Sequence, residues 1–282
     1  MKKQQLILVG SGLLLVGAIY VFGRTVPHTG APAPVSPTSA STAEVIDFSV
    51  ILEASKKDLT ASQHYYVTQL ESGIVRGDVK TQQIRSYKQL AEFWRDSAHK
   101  LIPYTYYTSE AAKLENSQKN LTFAAQLYLD GLMKQSNQSL KTWMATEAKV
   151  LFEKALELNP TNDSLKVGLG KTLLFGGIGK TPMEGILLIR EVADKNPKDI
   201  YAQYTLGMGS MMSGQWDKAI ERFEIIHQLE PNNLEPIFLL ADVNERKNDK
   251  EKAIYWYKQL RTLIDDPEIV KEVDKRITDL KN

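Results

Sequence analysis

Residues 200–233 read IYAQYTLGMGSMMSGQWDKAIERFEIIHQLEPNN and decide the fold of the chain. Two apolar stretches with helical spacing are separated by a turn sequence that contains Gly214, and Pro231 follows the second stretch. Proline ends a helix, and a small residue such as Gly207 lets two helices approach closely. Phe223 is large enough to fill the space between such helices. The stretch therefore predicts two antiparallel helices joined by a tight turn.

The same pattern recurs along the C-terminal half of the chain at intervals of 37 and 34 residues. Its features are a Leu-Gly or Leu-Ala pair, a small residue followed four positions later by a large one, and a closing proline. They stand at Leu169-Gly170, Leu206-Gly207 and Leu240-Ala241; at Ala148-Phe152, Gly185-Ile189, Ala219-Phe223 and Ala253-Tyr257; and at Pro160, Pro197 and Pro231. A 34-residue period with these signatures resembles the tetratricopeptide repeat (TPR), a helix-turn-helix unit. The resemblance implies an all-α, right-handed α-solenoid.

The repeat period divides the body of the chain into units. The TPR array is predicted over residues 81–266, as units 81–117, 118–162, 163–199, 200–233 and 234–266, of which the first two are degenerate. Residues 46–80 predict a helix pair that lacks the signature, and residues 267–282 predict an amphipathic helix. Such a terminal helix covers the apolar edge that a stacked array would otherwise expose.

Composition excludes several functional classes. The chain has 282 residues with 35 Lys and Arg against 34 Asp and Glu, so it lacks the concentrated positive charge on which nucleic-acid binding depends. It has no cysteine, which excludes disulfides, thiolate zinc sites and cysteine nucleophiles. We therefore expect no nucleic-acid partner.

The first 24 residues predict a membrane anchor. Residues 6–22, LILVGSGLLLVGAIYVF, carry no charge. As a helix they span roughly 26 Å, slightly less than a hydrocarbon core of about 30 Å. Lys2 and Lys3 favour a cytoplasmic N-terminus, which predicts a single-pass protein of the bacterial inner membrane with its body on the periplasmic side. A cleaved signal peptide is the alternative. Residues 25–45 are rich in Pro, Ser, Thr and Ala and predict a semi-stiff linker.

Two Gly-Lys-Thr tripeptides, at 170–172 and 179–181, invite comparison with phosphate-binding loops. The pattern G-x4-G-K-[ST] requires a glycine where Leu165 and Leu174 stand, and such loops follow a buried strand, which is not predicted here. We interpret both as repeat glycines and turn residues. The four histidines show no metal-ligand spacing. The sequence thus predicts a non-enzyme without nucleotide, cofactor or metal ion.

The candidate binding residues follow from the resemblance, because in TPR proteins the first helices of the units line a concave groove that holds peptides. The corresponding residues here are Val167, Lys171, Leu174, Tyr201, Tyr204, Met208, Met211, Phe238, Asp242 and Glu245. Aromatic and Met side chains supply adaptable apolar contact, and the charged residues could orient a partner. The alternative interpretation is that these residues pack against neighbouring helices. The family's carboxylate clamp is not expected, since Val, Tyr and Phe replace its Lys, Asn and Arg.

These observations predict a membrane-anchored, non-catalytic scaffold that binds a protein or peptide segment in its groove. One alternative is a permanent structural subunit of a cell-envelope machine; another is assistance to secretion or to cytochrome c maturation. The N-terminal helix pair could also fill the groove itself through Tyr65, Tyr66 and Leu70.

Overall fold

The computed structural model describes residues 46–76, 79–178 and 182–282. Within these residues the chain forms thirteen α-helices and no strand, which confirms the predicted all-α class. The helices are α1 (Phe48–Lys56), α2 (Ala61–Arg76), α3 (Lys80–Glu92), α4 (Leu101–Glu115), α5 (Gln118–Lys134), α6 (Gln138–Leu158), α7 (Asp163–Gly176), α8 (Pro182–Lys195), α9 (Ile200–Met212), α10 (Trp216–Leu229), α11 (Leu234–Arg246), α12 (Lys250–Thr262) and α13 (Pro267–Lys281). One π-helical turn, Phe93–Ser97, continues α3.

From α3 onward the helices pack as consecutive pairs: α3 with α4, α5 with α6, α7 with α8, α9 with α10, and α11 with α12. The second helix of each pair also packs against the helix that follows it. We call α3, α5, α7, α9 and α11 the first helices, and their exposed side the first-helix face. The arrangement confirms the predicted helix-turn-helix array and, at the level of the fold, the resemblance to the TPR. Its handedness stays a prediction.

The last three pairs each begin at a side chain that caps the first helix. Asn162, Asp199 and Asn233 accept hydrogen bonds from backbone N–H groups in the first turns of α7, α9 and α11, at 3.1, 2.8 and 3.0 Å. Such caps satisfy N–H groups that have no partner within the helix. The caps therefore set the starts of the units locally, from the sequence.

Small residues lie where the paired helices cross. A methyl group added to Gly170 would lie 2.6 Å from Cγ1 of Ile189 and 2.7 Å from the carbonyl oxygen of Gly185. A methyl group added to Gly168 would lie 2.5 Å from Cε1 of Phe152 in α6. Gly170, the glycine of the first Gly-Lys-Thr tripeptide, thus serves helix packing, as predicted; residues 179–181 of the second lie outside the described residues.

The first two helices do not form a close pair with each other. Helix α2 packs on α3, where Tyr66 lies against the ring of Phe93 at 5.7 Å between centroids. Helix α1 instead crosses α4: the ring of Phe48 stacks on Tyr106 at 3.5 Å and lies parallel to Trp143 of α6 at 6.0 Å. No residue of α1 is fully buried, so these ring contacts provide much of its attachment.

The C-terminal helix α13 packs on α12 and buries Val273, Ile277 and Leu280. Among the described residues, no helix combines the length and the apolar character needed to cross a membrane. The predicted anchor, 6–22, and the linker, 25–45, lie outside the described residues.

Candidate functional site

The first-helix face contains a cavity of about 300 Å³ between α5, α7 and α9, which we call the α5–α9 cavity. Its lining residues are Asp130, Met133 and Lys134 on α5, Lys171 and Phe175 on α7, and Tyr204, Thr205 and Met208 on α9. The structure thus brings together three of the predicted residues, Lys171, Tyr204 and Met208. The cavity combines apolar side chains with a few polar groups, which is the usual composition of a binding site.

Lys171 is the half-buried cation of this cavity. Its Nζ lies 5.5 Å from the ring centroid of Tyr201, a cation–π contact. Among the residues that the structure describes, no carboxylate lies within ion-pair distance of Nζ. Burial lowers the pKa of Lys171, and the charges of Asp130 and Glu235 oppose that shift only in part.

The two tyrosines of α9 differ in their hydrogen bonds. The Tyr204 hydroxyl donates to Glu235 of α11 at 2.9 Å, and burial, followed by the charge of Glu235, raises the pKa of Tyr204. The buried Tyr201 hydroxyl has no hydrogen-bond partner among the described residues. Burial, with the charge of Asp130, raises the pKa of Tyr201 to about 12. Both phenols therefore stay protonated at neutral pH.

Several predicted groove residues hold helices together. Val167 is fully buried, and Leu174 packs so closely on α9 that a methyl group added to Gly209 would lie 2.8 Å from its Cδ2. Met211 packs beside Trp216 in the cluster between α9, α10 and α11. For these positions the structure shows packing, whereas Met208 also lines the cavity.

The predicted residues of α11 do not line the α5–α9 cavity. Phe238 packs into the cluster with α12 and α13. Asp242 accepts from Nε of Arg246 at 2.9 Å; burial raises the pKa of Asp242, and Arg246 opposes the shift. Glu245 accepts from Nε of Arg276 in α13 at 2.8 Å. Both carboxylates therefore already accept hydrogen bonds from arginines of the same chain.

Sequence reasoning missed Asp130, Met133 and Lys134, since it placed no groove residue on α5. Phe123, Asp130 and Met133 fall on one side of this helix because they are seven and three residues apart. Phe123 and Met133 are 52% and 40% exposed, which is unusual for large apolar side chains in an array. This spacing is the signal that could have identified them.

Phe123 also borders a second cavity, of about 200 Å³, between α3, α4 and α5. Lys88 of α3, Arg95 of the π-helical turn and Tyr104 of α4 line it. Its two cations are already paired: Lys88 with Glu115, and Arg95 with Asp96 at 2.8 Å. The α5 residues therefore connect two depressions of the first-helix face, of which only the α5–α9 cavity holds an unpaired cation.

The N-terminal helices do not line either cavity. In α4, Tyr104 borders the second cavity, whereas Tyr106 contacts Phe48 of α1. Each residue turns a helix by about 100°, so residues two apart point to nearly opposite sides. Helix α1 therefore packs on the side of α4 that faces away from this cavity. Tyr65 and Tyr66 are 69% and 45% exposed, with the Tyr66 ring against Phe93, and Leu70 packs in the apolar cluster of α2, α3 and α4. In the described residues the α5–α9 cavity is thus open to a partner.

No set of three or more His, Cys, Asp or Glu side chains within the described part of the chain is arranged to hold a metal ion.

No protein-family model matches the sequence, and no curated relative was found. Among solved structures, MamA from Desulfovibrio magneticus RS-1 is similar at 23% identity and a TM-score of 0.46, over 66% of this chain and 96% of that one. YrrB, described as a TPR protein with an unusual peptide-binding site, is similar at 20% identity and a TM-score of 0.44, over 70% of this chain and 98% of YrrB. PilW, a type IV pilus biogenesis factor, is similar at 19% identity and a TM-score of 0.47, over 64% of this chain and 77% of PilW. The fold assignment rests on the helix pairs of this chain.

Proposed function

We propose that this protein is a non-catalytic scaffold that binds a segment of another protein in the α5–α9 cavity. The observation that carries the proposal is the cavity itself: an opening on the first-helix face where Met133, Phe175 and Met208 surround the half-buried cation of Lys171. Methionine adapts to varied apolar shapes, and a charged group fixes the direction of a bound chain. A peptide with an apolar side chain beside an acidic one matches this surface.

In the proposed arrangement, residues 6–22 hold the protein in a bacterial inner membrane and the array lies on the periplasmic side. The linker at 25–45 gives the array reach from the bilayer. Assistance to secretion and to cytochrome c maturation are two forms that this activity could take, and the bound partner distinguishes them.

A permanent structural subunit of an envelope machine is the second candidate. It is favoured by Met183 and Leu187, which lie one turn apart on α8 and are 52% and 58% exposed. Contiguous exposed apolar surface marks places that other proteins cover, and we propose that this pair belongs to such a surface. A permanent subunit would co-purify in fixed ratio, whereas a peptide receptor purifies alone.

In-cell photocrosslinking tests the proposal. A photoreactive amino acid replaces Met208 in the cavity, and a matched variant carries it at Lys218, which is exposed on α10. We expect a discrete protein partner, identified by mass spectrometry, from position 208 and not from 218. Crosslinks from both positions to the same large subunits would support the second candidate, and crosslinks from neither would contradict both.

A further inference from the structure

Lys171 differs from the other lysines that lie largely within the protein. Lys56 pairs with Glu53 and Glu71 at 3.2 and 3.0 Å, and Lys113 pairs with Glu110 and Glu147 at 2.7 and 2.9 Å. Two carboxylates thus compensate each of those buried ammonium groups. Lys171 has no such partner among the described residues, although removing a cation from water without an ion pair is costly.

The nearest carboxylates bind other groups. Asp130, across the cavity, accepts a hydrogen bond from Nε2 of Gln126 at 2.7 Å. Glu235 accepts from the Tyr204 hydroxyl at 2.9 Å. Both act on Lys171 only through their charge at longer range. The ammonium of Lys171 therefore lines the cavity without a hydrogen-bond acceptor from residues 46–76, 79–178 or 182–282.

A second unfilled group lies next to it. The ring of Tyr201 supports the ammonium, and the hydroxyl of the same ring is buried without a hydrogen-bond partner in the described part of the chain. Native proteins leave few buried polar groups unsatisfied, and those that remain often mark a missing ligand or water. An unpaired ammonium that lines the cavity, in contact with a tyrosine whose buried hydroxyl lacks a partner among the described residues, points to a bound polar group.

We infer that Lys171 binds the carboxylate of an aspartate or glutamate side chain in the segment held by the α5–α9 cavity, with an apolar side chain of the same segment seated against Met133 and Met208. This inference rests on the proposed function and deepens it, because it names the residue type that the partner must carry. A charge-assisted hydrogen bond from the ammonium to the carboxylate compensates the burial of both groups. The acidic residue then fixes the position of the segment in the cavity.

Peptide selection tests the inference. The full-length chain in detergent is screened against displayed random 12-residue peptides flanked by constant sequence on both sides, so that no peptide offers a free C-terminal carboxylate. The matched variants are Lys171→Met, which keeps the length of the side chain, Lys171→Glu, which reverses its charge, and Lys218→Met, which removes an exposed cation of α10 that does not line the cavity.

We expect the wild-type chain and Lys218→Met to enrich Asp or Glu next to an apolar residue. Lys171→Met should keep the apolar preference and lose the acidic one, and Lys171→Glu should favour Lys or Arg. Acidic enrichment that persists in Lys171→Met, or that disappears equally in Lys218→Met, would overturn the inference while leaving the proposed function intact. If the wild-type chain enriches no peptide, the proposed function fails and the inference fails with it.

An affinity measurement quantifies the contact. One enriched peptide is compared with its Glu→Gln analogue by fluorescence anisotropy. We expect the wild-type chain to bind the acidic peptide about tenfold more tightly than the amide, and Lys171→Met to bind both equally. Circular dichroism of the variants confirms that they are folded. An undiminished preference in folded Lys171→Met would assign the carboxylate to another residue.

Discussion

Gly207 of α9 lies directly against the ring of Phe223 in α10: a methyl group added to Gly207 would be 2.5 Å from Cε1 and 2.8 Å from Cζ of that ring. Both residues are buried, and Phe223 is fully so. The contact explains why the repeat pairs a small residue in one helix with a large one in the next. It fixes the separation of the two helices, and thereby the place of Met208 beside the cavity.

The first prediction concerns this contact. Gly207→Ala should lower the free energy of unfolding by about 1 to 2 kcal/mol, because the clash with Phe223 outweighs the gain of about 1 kcal/mol in helix propensity. Gly131→Ala is the matched control, since its added methyl would meet only the flexible end of Met144, at 3.3 Å from the sulfur. Urea denaturation followed by circular dichroism measures both. Equal stability of the two variants would contradict the packing role of Gly207.

The second prediction concerns the C-terminal helix. Glu245 accepts from Arg276 of α13 and from the Tyr257 hydroxyl, at 2.8 and 3.2 Å, and both partners of the ion pair are less than a third exposed. Glu245→Gln should destabilise the docking of α13 by about 2 kcal/mol. Hydrogen exchange of residues 267–281 should then accelerate while exchange in α7 stays unchanged.

Arg261→Gln provides the control for that experiment. Arg261 of α12 pairs with Asp274 of α13, so this ion pair also ties α13 to the array, but both of its side chains are 47% exposed. Exposed ion pairs contribute little to stability, so exchange in α13 should not change measurably. Faster exchange in Arg261→Gln than in Glu245→Gln would show that burial does not decide the strength of these pairs.

The third prediction concerns pH. Burial lowers the pKa of Lys171 in the folded protein, so between that pKa and its ordinary value of 10.5 the unfolded chain binds more protons and stability rises with pH. Lys171→Met lacks this contribution. It should be more stable than the wild-type chain at neutral pH, and the difference should shrink as the pH approaches 10.5.

The other titratable groups that face Lys171 do not produce this pH-dependent difference in stability between the variant and the wild-type chain. Asp130 of α5 and Glu235 of α11 are carboxylates, and the pKa of each tyrosine of α9, Tyr201 and Tyr204, is raised. Urea unfolding at pH 7, 8, 9 and 10 measures the difference, with Lys134→Met as the control that should show none. A difference that is constant with pH would refute the assigned burial of the ammonium.

The fourth prediction concerns α1. Phe48→Ala removes the ring that stacks on Tyr106, and because α1 buries no residue completely, the helix should detach while the array stays folded. Hydrogen exchange in residues 48–56 should rise to that of an unprotected segment. Val50→Ala, which changes a 65% exposed side chain of the same helix, should leave the exchange unchanged. Loss of protection throughout the array would show that α1 is an integral part of it.

The last three helix pairs could be predicted most clearly from the sequence, because each carries its own signature of small, large and capping residues. The position of α1 could not, because it depends on a ring contact between Phe48 and Tyr106, 58 residues apart, that no local spacing records. Likewise Glu245 occupies a groove position by register, yet Arg276, 31 residues later, engages it. Register identifies the face on which a residue lies, whereas tertiary contacts decide whether it is available.

The same limit explains why only some residues of the α5–α9 cavity could be predicted from the sequence. Lys171, Tyr204 and Met208 follow from the repeat register, but the unit that contains α5 has a degenerate signature, so Asp130 and Met133 could not be placed in it. Lys171 lacks an ion pair in the described residues, and the sequence could not predict this because acidic residues are abundant in it. Only the three-dimensional arrangement shows which carboxylates are engaged elsewhere.

The most direct test of the central claim is the affinity of the partner identified by crosslinking for two matched variants, measured by isothermal titration calorimetry. Met133→Asp places a charge in the α5–α9 cavity, and Met183→Asp places one on α8, outside it; the two methionines are 40% and 52% exposed. The account predicts at least about a tenfold loss of affinity for Met133→Asp and wild-type affinity for Met183→Asp. Wild-type affinity for Met133→Asp, or a loss confined to Met183→Asp, would contradict it.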